Sequence, residues 1–175
     1  GNLTSAPATL SITLNPVNDA PTATAQSVAG NEDETKTITL EGNDIDGENL
    51  TFTIETNPAN GSAFLNGNTL TYTPHNNYNG PDSLTFTAAD GNLTSAASTV
   101  SITVTPVNDI PTATTQSVTV TEDSTLLINL VALDPDGDSL SYTLTSDPAN
   151  GNATLSDSTL TYTPNENFNG ADSLA

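Results

Sequence analysis

Short runs in which apolar residues alternate with Thr or Ser recur along the whole chain. Residues 8–14 place Leu10, Ile12 and Leu14 on one side, the two-residue period of a half-buried strand. The same period marks 22–28, 35–40, 50–54 (with Leu50, Phe52 and Ile54 inward), 63–65, 69–72, 84–88 and 99–104. Turn chemistry separates these runs. An acidic turn spans 30–34, a second acidic loop spans 43–49, and Asn57-Pro58-Ala59-Asn60-Gly61 reads as a turn. Asn66-Gly67 is a hairpin signal because that pair tolerates positive φ. A loop covers 74–81, and Asp90-Gly91-Asn92 separates the last two strands. No stretch carries a helical period. Short strands with a turn roughly every ten residues predict an all-β chain built as an antiparallel sandwich of about seven strands.

The pattern repeats with an offset of 90 residues. Gly1-Asn2-Leu3-Thr4-Ser5-Ala6 recurs from Gly91, and Thr69-Leu70-Thr71-Tyr72-Thr73-Pro74 recurs from Thr159. Aligning 1–85 on 91–175 without a gap gives 49 identities in 85 positions, so the chain reads as a tandem array. Pro16-Val17-Asn18-Asp19-Ala20-Pro21 and Pro106-Val107-Asn108-Asp109-Ile110-Pro111 each lie between two alternating runs. Proline at both ends removes two backbone donors and fixes φ, so neither sheet continues through. These are the expected joints. Residues 1–17 then form the last strand of a preceding repeat, 18–107 a complete sandwich repeat, and 108–175 a second repeat without its final strands. Two readings of that ending stay open. The sequence is an excerpt from a longer array of the same unit, or the opening strand of one copy completes the second repeat of another, head to tail.

Composition changes this picture in two ways. Apolar residues are only 34%, and the formal charge is −20, with 21 acids against one Lys or Arg. Low hydrophobicity with high charge is the signature of disorder, and the regular alternation argues against it. The charge also excludes partners. A lone Lys36 cannot neutralise a phosphate backbone, so nucleic acid is not a partner, and no apolar run approaches the roughly 18 residues of a membrane span. Cysteine is absent and His75 is the single histidine, which leaves neither a disulfide framework nor a Cys/His zinc site. An exposed loop residue is the expected role of His75.

The acids fall in turns that recur between repeats. Glu32-Asp33 matches Glu122-Asp123, and Asp44-Ile45-Asp46-Gly47 matches Asp134-Pro135-Asp136-Gly137. Calcium takes about six to eight oxygens from carboxylates, carbonyls and amides, and a D-x-D turn holds two carboxylates in one loop. The competing reading is that Asp and Gly are ordinary turn formers. Asp82 and Asp172, each just before a strand, read as turn caps. Tyr72, Tyr162, Phe52 and Tyr142, at strand positions, read as core.

Taken in order, Asn-Asp-x-Pro after a strand, a Glu-bearing turn, Asp-x-Asp, and Ala-Asp-Gly before the last strand resemble the cadherin repeat. Thr-Tyr-Thr-Pro-Asn-x-Asn-Phe-Asn-Gly-x-Asp-Ser at 161–173 is similar to the bacterial cadherin-like tandem repeats of giant surface adhesins of the RTX type. The resemblance covers the whole chain. It implies a cadherin/immunoglobulin-like sandwich and Ca2+ at each joint. At the central joint the implied ligands are Glu32 from the upper repeat, Asn108 and Asp109 from the linker, and Asp134 and Asp136 from the lower repeat. At the upper joint they are Asn18, Asp19, Asp44, Asp46 and Asp90. Two departures reduce the carboxylate count. Pro16 and Pro106 stand where cadherins place the first Asp of the linker motif, and His75-Asn76-Asn77 and Asn165-Glu166-Asn167 replace Asp-Arg-Glu.

The expected function is a calcium-stiffened spacer repeat of a long extracellular adhesin or surface filament, with neighbouring repeats as its partners. The alternative is a carbohydrate- or protein-binding sandwich module. An enzyme is not expected, because a single repeat carries no nucleophile–base arrangement.

Overall fold

The computed structural model describes residues 1–175, which divide into two compact units, Gly1–Pro106 and Val107–Ala175. Unit 1 holds nine strands: β1 (Thr22–Ala23), β2 (Gln26–Asn31), β3 (Lys36–Thr39), β4 (Gly42–Asn43), β5 (Thr51–Thr56), β6 (Gly61–Asn66), β7 (Thr69–Pro74), β8 (Gly80–Ala89) and β9 (Ser98–Thr105). They form a four-stranded sheet in the order β2-β9-β8-β5, a three-stranded sheet β3-β7-β6, and a short β1-β4 pair. The alternation explains the packing. Ile38, Leu40, Leu70 and Tyr72 on the three-stranded side meet Leu84, Phe86, Val100, Ile102 and Val104 from the four-stranded sheet in one core. Phe52 adds a tilted ring contact with Phe86 at 6.1 Å. The expected core aromatics Tyr72 and Tyr162 are buried, and His75 is exposed.

One pairing departs from the expected antiparallel order: β2 runs parallel to β9, in register from Gln26↔Val100 to Asn31↔Thr105. Alternation decides which side chains face inward but not which way a strand runs. Between β1 and β2 the chain passes from its short pairing with β4 to the free edge of β9. The hairpin turn is displaced by one residue from the sequence reading. Asn66 pairs with Thr69, so the loop is Gly67-Asn68, with Gly67 at φ 62°.

Residues 1–21 form no ladder, although 8–14 have a strand period. With no strand beside them, Leu10, Ile12 and Leu14 are 83%, 75% and 89% exposed.

Unit 2 holds β10 (Thr112–Ala113), β11 (Leu126–Asn129), β12 (Ala132–Leu133), β13 (Gly151–Ser156) and β14 (Thr159–Pro164). The sheet β11-β14-β13 repeats the three-stranded sheet of unit 1 with each register shifted by 90, as in Lys36↔Tyr72 and Leu126↔Tyr162. Residues 116–121 and 141–146, the counterparts of β2 and β5, carry no strand.

In both units an Asp–Tyr contact fixes one end of the fold. Asp82, at the start of β8, accepts N–H bonds from Ala59 (3.0 Å), Asn60 (3.0 Å) and Ser83 (2.8 Å), and the Tyr72 hydroxyl donates to it at 2.9 Å. Tyr72 and Asp82 belong to different sheets, so the contact ties one sheet to the other. Asp172 receives the same four donors from Ala149, Asn150, Ser173 and Tyr162. Burial raises the Asp82 carboxyl, but the bonds from Ser83, Tyr72, Ala59 and Asn60 outweigh it and hold it below its ordinary value. Burial, followed by the bond to Asp82, pushes the Tyr72 hydroxyl up. The cap role expected for Asp82 and Asp172 is what the geometry provides. Their oxygens are occupied by donors.

Candidate metal centre

The acidic loop after β4 folds on itself. Asp44 Oδ1 accepts the N–H groups of Asp46 (2.8 Å) and Gly47 (3.2 Å), a closed turn that needs the positive φ of Gly47, 82°. That turn brings Asp46 back toward the proline-bounded segment, where its Oδ2 accepts the Asp19 N–H at 2.8 Å. Asn18 Nδ2 donates to Asp90 Oδ2 at 2.9 Å. Asp90, just after β8, is itself held by the N–H groups of Asn92 (2.6 Å) and Leu93 (2.7 Å) on Oδ1. Those two bonds and the one from Asn18 draw its carboxyl below the ordinary value. Residues 18, 19, 44, 46 and 90, far apart in sequence, are thus linked across three stretches of unit 1: the proline-bounded segment, the acidic loop and the turn after β8.

The structure adds Glu48, which the sequence reading did not name. Carboxylate oxygens of Asp44, Asp46 and Glu48 lie within 4.8 Å of one another. Asp44 Oδ2 is buried and has no hydrogen-bond partner. An ionised Glu48 has no proton to give it. Glu48 is accordingly held above its ordinary value by desolvation, by the bond it could make to Asp44 when protonated, and by repulsion from Asp44 and Asp46. A hard cation would satisfy the orphaned oxygen and remove the repulsion. The donors of that cluster are three carboxylates, with no sulfur or imidazole, which fits Ca2+. The signal for Glu48 was in the sequence: it is the third acid of an alternating D-x-D-x-E run.

In unit 2 the corresponding loop closes the same way. Asp134 Oδ1 accepts from Asp136 (2.9 Å) and Asp138 (3.2 Å), Asp136 Oδ2 accepts the Asp109 N–H at 2.7 Å, and Asn108 Nδ2 bonds the Asp109 carbonyl at 3.1 Å. Asp138, one methylene shorter, stands where Glu48 does, and the three acids do not converge to the same distance. Glu32 stands apart from the unit 1 cluster. Its N–H bonds Thr105 O at the far end of β9 from Asp90, and its side chain is buried. It belongs to unit 1, whereas Asn108, Asp109, Asp134 and Asp136 belong to unit 2.

A family model described as a bacterial Ig domain matches twice, over residues 18–103 and 108–175. No curated protein sequence matches the chain. Among solved structures, the chain is similar to an endo-fucoidan hydrolase of glycoside hydrolase family 107 (21% identity, TM-score 0.44, covering 89% of this chain and 26% of that one). It is also similar to the human desmocollin-1 ectodomain (15%, 0.46, 88% and 32%) and to extracellular cadherin domains 1–5 of protocadherin gamma B2 (16%, 0.47, 87% and 34%). The chain therefore spans about a quarter to a third of the length of these structures.

Proposed function

This chain belongs to the bacterial Ig domain family, and on that premise we propose that it is a non-catalytic spacer of an extracellular adhesin or surface filament, stiffened by Ca2+ and partnered by neighbouring repeats. The observation that carries this reading is the meeting of the Asp44/Asp46/Glu48 carboxylates with the proline-bounded segment through Asp46 and the Asp19 N–H. Asp44, Asp46 and Glu48 would hold the ion, and Asp90 would orient Asn18 toward it. A cation bound there offsets the repulsion within the loop and fixes the segment from Pro16 to Pro21 against the body of the repeat. Each repeat then presents its predecessor with a rigid base. A net charge of −20 keeps separate chains apart in solution.

Calorimetry of the 175-residue chain in millimolar calcium and in chelator tests the reading. Calcium should raise Tm, because an ion that binds only the folded state stabilises it by mass action. Asp46→Asn should abolish the rise. An unchanged Tm would leave a plain sandwich spacer.

One observation favours the binding-module reading. A groove of about 900 Å³ beside the acidic loop is lined by Leu50, Phe52 and Leu65 with Asp44 and Glu48 at its rim, the mixed lining that suits a sugar ring. Glycan binding that requires calcium would support that alternative.

A further inference from the structure

The two main sheets of unit 1 end on four edge strands, β2, β5, β3 and β6, and three of these are guarded. Gln26 Nε2 crosses from β2 to the Thr39 carbonyl of β3 at 2.8 Å. The Lys36 stem of β3 lies over Gly30 of β2, where a Cβ would meet Lys36 Cδ at 3.3 Å. β5 carries a bulge between Ile54 and Thr56, with the charged Glu55 in it. Lysines, bulges and charges are the devices that keep a free edge from pairing with another chain. β6 has none of them. Its sequence Gly61-Ser62-Ala63-Phe64-Leu65-Asn66 holds no charge and no proline, and its ladder with β7 runs without a break.

The backbone of β6 is set for a partner. Asn66↔Thr69 closes a two-residue loop, so it is a hydrogen-bonded pair, and the bonding alternates from there. Ser62 and Phe64 therefore bond β7, and Ala63 and Leu65 turn their N–H and C=O groups to the free side. Pro74, opposite Gly61, falls where the ladder uses no N–H. The side chains alternate in step. Ala63 and Leu65 pack on the core, whereas Ser62, Phe64 and Asn66 face out, and Phe64 is 68% exposed. Charge selects the occupant. The chain carries −20, so two copies repel wherever their acidic loops meet. β6 is an uncharged strip with a large apolar side chain in it, where two copies touch without that repulsion. A basic partner would be drawn to the acidic loops instead.

We propose that two copies of this chain pair through β6, antiparallel about a two-fold axis, in one continuous sheet with three strands from each copy. Two registers satisfy the free backbone groups. Ala63 opposite Ala63 would set Phe64 against Ser62. Ala63 opposite Leu65 sets Phe64 against Phe64 on the axis and Ser62 against Asn66. The second register is the one proposed, because it puts the two exposed rings in a non-hydrogen-bonded pair, where facing side chains come closest. The contact is isologous and closes at two copies. β13 is also an uncharged edge, but Thr154 stands where β6 has Phe64, so the anchor belongs to unit 1. A contact this small is weak, and it forms at high concentration and in salt, which screens the like charge.

Sedimentation equilibrium on the 175-residue chain tests this. The average mass should rise from 17.9 kDa toward twice that value with concentration, and further with salt. A contact made of ion pairs would respond to salt the other way. Phe64→Lys, at an exposed position, should leave Tm unchanged and abolish the rise. Thr154→Lys should leave the rise intact. The register has its own test, because the chain has no cysteine. An oxidised equimolar mixture of Ser62→Cys and Asn66→Cys chains should form a disulfide-linked dimer, and either variant alone should not. A mass of 17.9 kDa at every concentration and salt overturns the proposal. So does a rise that survives Phe64→Lys or is lost in Thr154→Lys, and so does equal cross-linking in the mixture and in the single variants.

Discussion

Residues 17–85 of unit 1 and 107–175 of unit 2 are identical at 38 of 69 positions, yet the two units bury their inward positions to different degrees. Both build the three-stranded sheet in the same register, both close the acidic loop around an Asp Oδ1, and both pin an Asp to a Tyr. Only unit 1 builds the opposing four-stranded sheet. Ile38, Leu40 and Leu84 are buried there, whereas their counterparts Ile128, Leu130 and Leu174 are half-buried. The hairpin, the loops and the pin are thus written locally. The core requires two faces, and a chain that has one face carries the same inward pattern without the burial.

The largest break in this comparison comes from the core. Phe86→Ala should cost unit 1 about 3–5 kcal/mol through a cavity, read as an earlier denaturant midpoint for unit 1 amides in hydrogen exchange, with unit 2 amides unmoved. Leu84→Ala should likewise cost more than Leu174→Ala, and equal costs would mean that the four-stranded sheet adds no burial. Calcium comes next. At about a hundred times its dissociation constant it should stabilise unit 1 by about 2.7 kcal/mol. It should stabilise unit 2 less, because Asp138 is shorter than Glu48. Equal gains would place the ion elsewhere.

Changes to the shared features sharpen the comparison instead. A Cβ at Gly61 would lie 2.6 Å from Thr73 O and from the Tyr72 ring, and one at Gly151 would lie 2.8 Å from Thr163 O and 2.6 Å from the Tyr162 ring. Gly61→Ala and Gly151→Ala should each cost about 1–3 kcal/mol by overpacking, measured by urea unfolding. Tyr72→Phe should cost about 1 kcal/mol by removing one of four donors to Asp82. The pin also sets an acid limit. Asp82 and Asp172 sit below their ordinary 3.8, so their contribution is complete above that value and disappears as pH falls through the lower folded-state values. Acid titration followed by circular dichroism should show that loss shrink in Asp82→Asn.

Most strands were legible in the sequence because a two-residue period is local and survives whatever packs above it. Direction was not: Gln26 to Asn31 read as a strand, but its parallel run beside β9 depends on which edge stood free. Residues 8–14 carry the same period and form no strand, since a strand exists only beside another. Of the candidate ligands, Asn18, Asp19, Asp44 and Asp46 lie in motifs that recur between repeats, Asp90 comes from the cadherin resemblance, and the fold links them. Glu48 carried a signal as the third acid of the D-x-D-x-E run, but its role rests on the distance to Asp44, which spacing alone does not give. The cap role of Asp82 was legible. Its bond to Tyr72 was not, because it joins two sheets.

The parallel β2–β9 pair has a mechanical consequence. Force drawn along the chain pulls β2 from its beginning, near Gln26, and β9 from its end, near Thr105. Neighbours running the same way must then slide lengthwise past each other, so the bonds from Gln26↔Val100 to Asn31↔Thr105 are loaded together in shear and do not open one by one like a zipper. A repeat strung in a stalk would resist tension at this seam first.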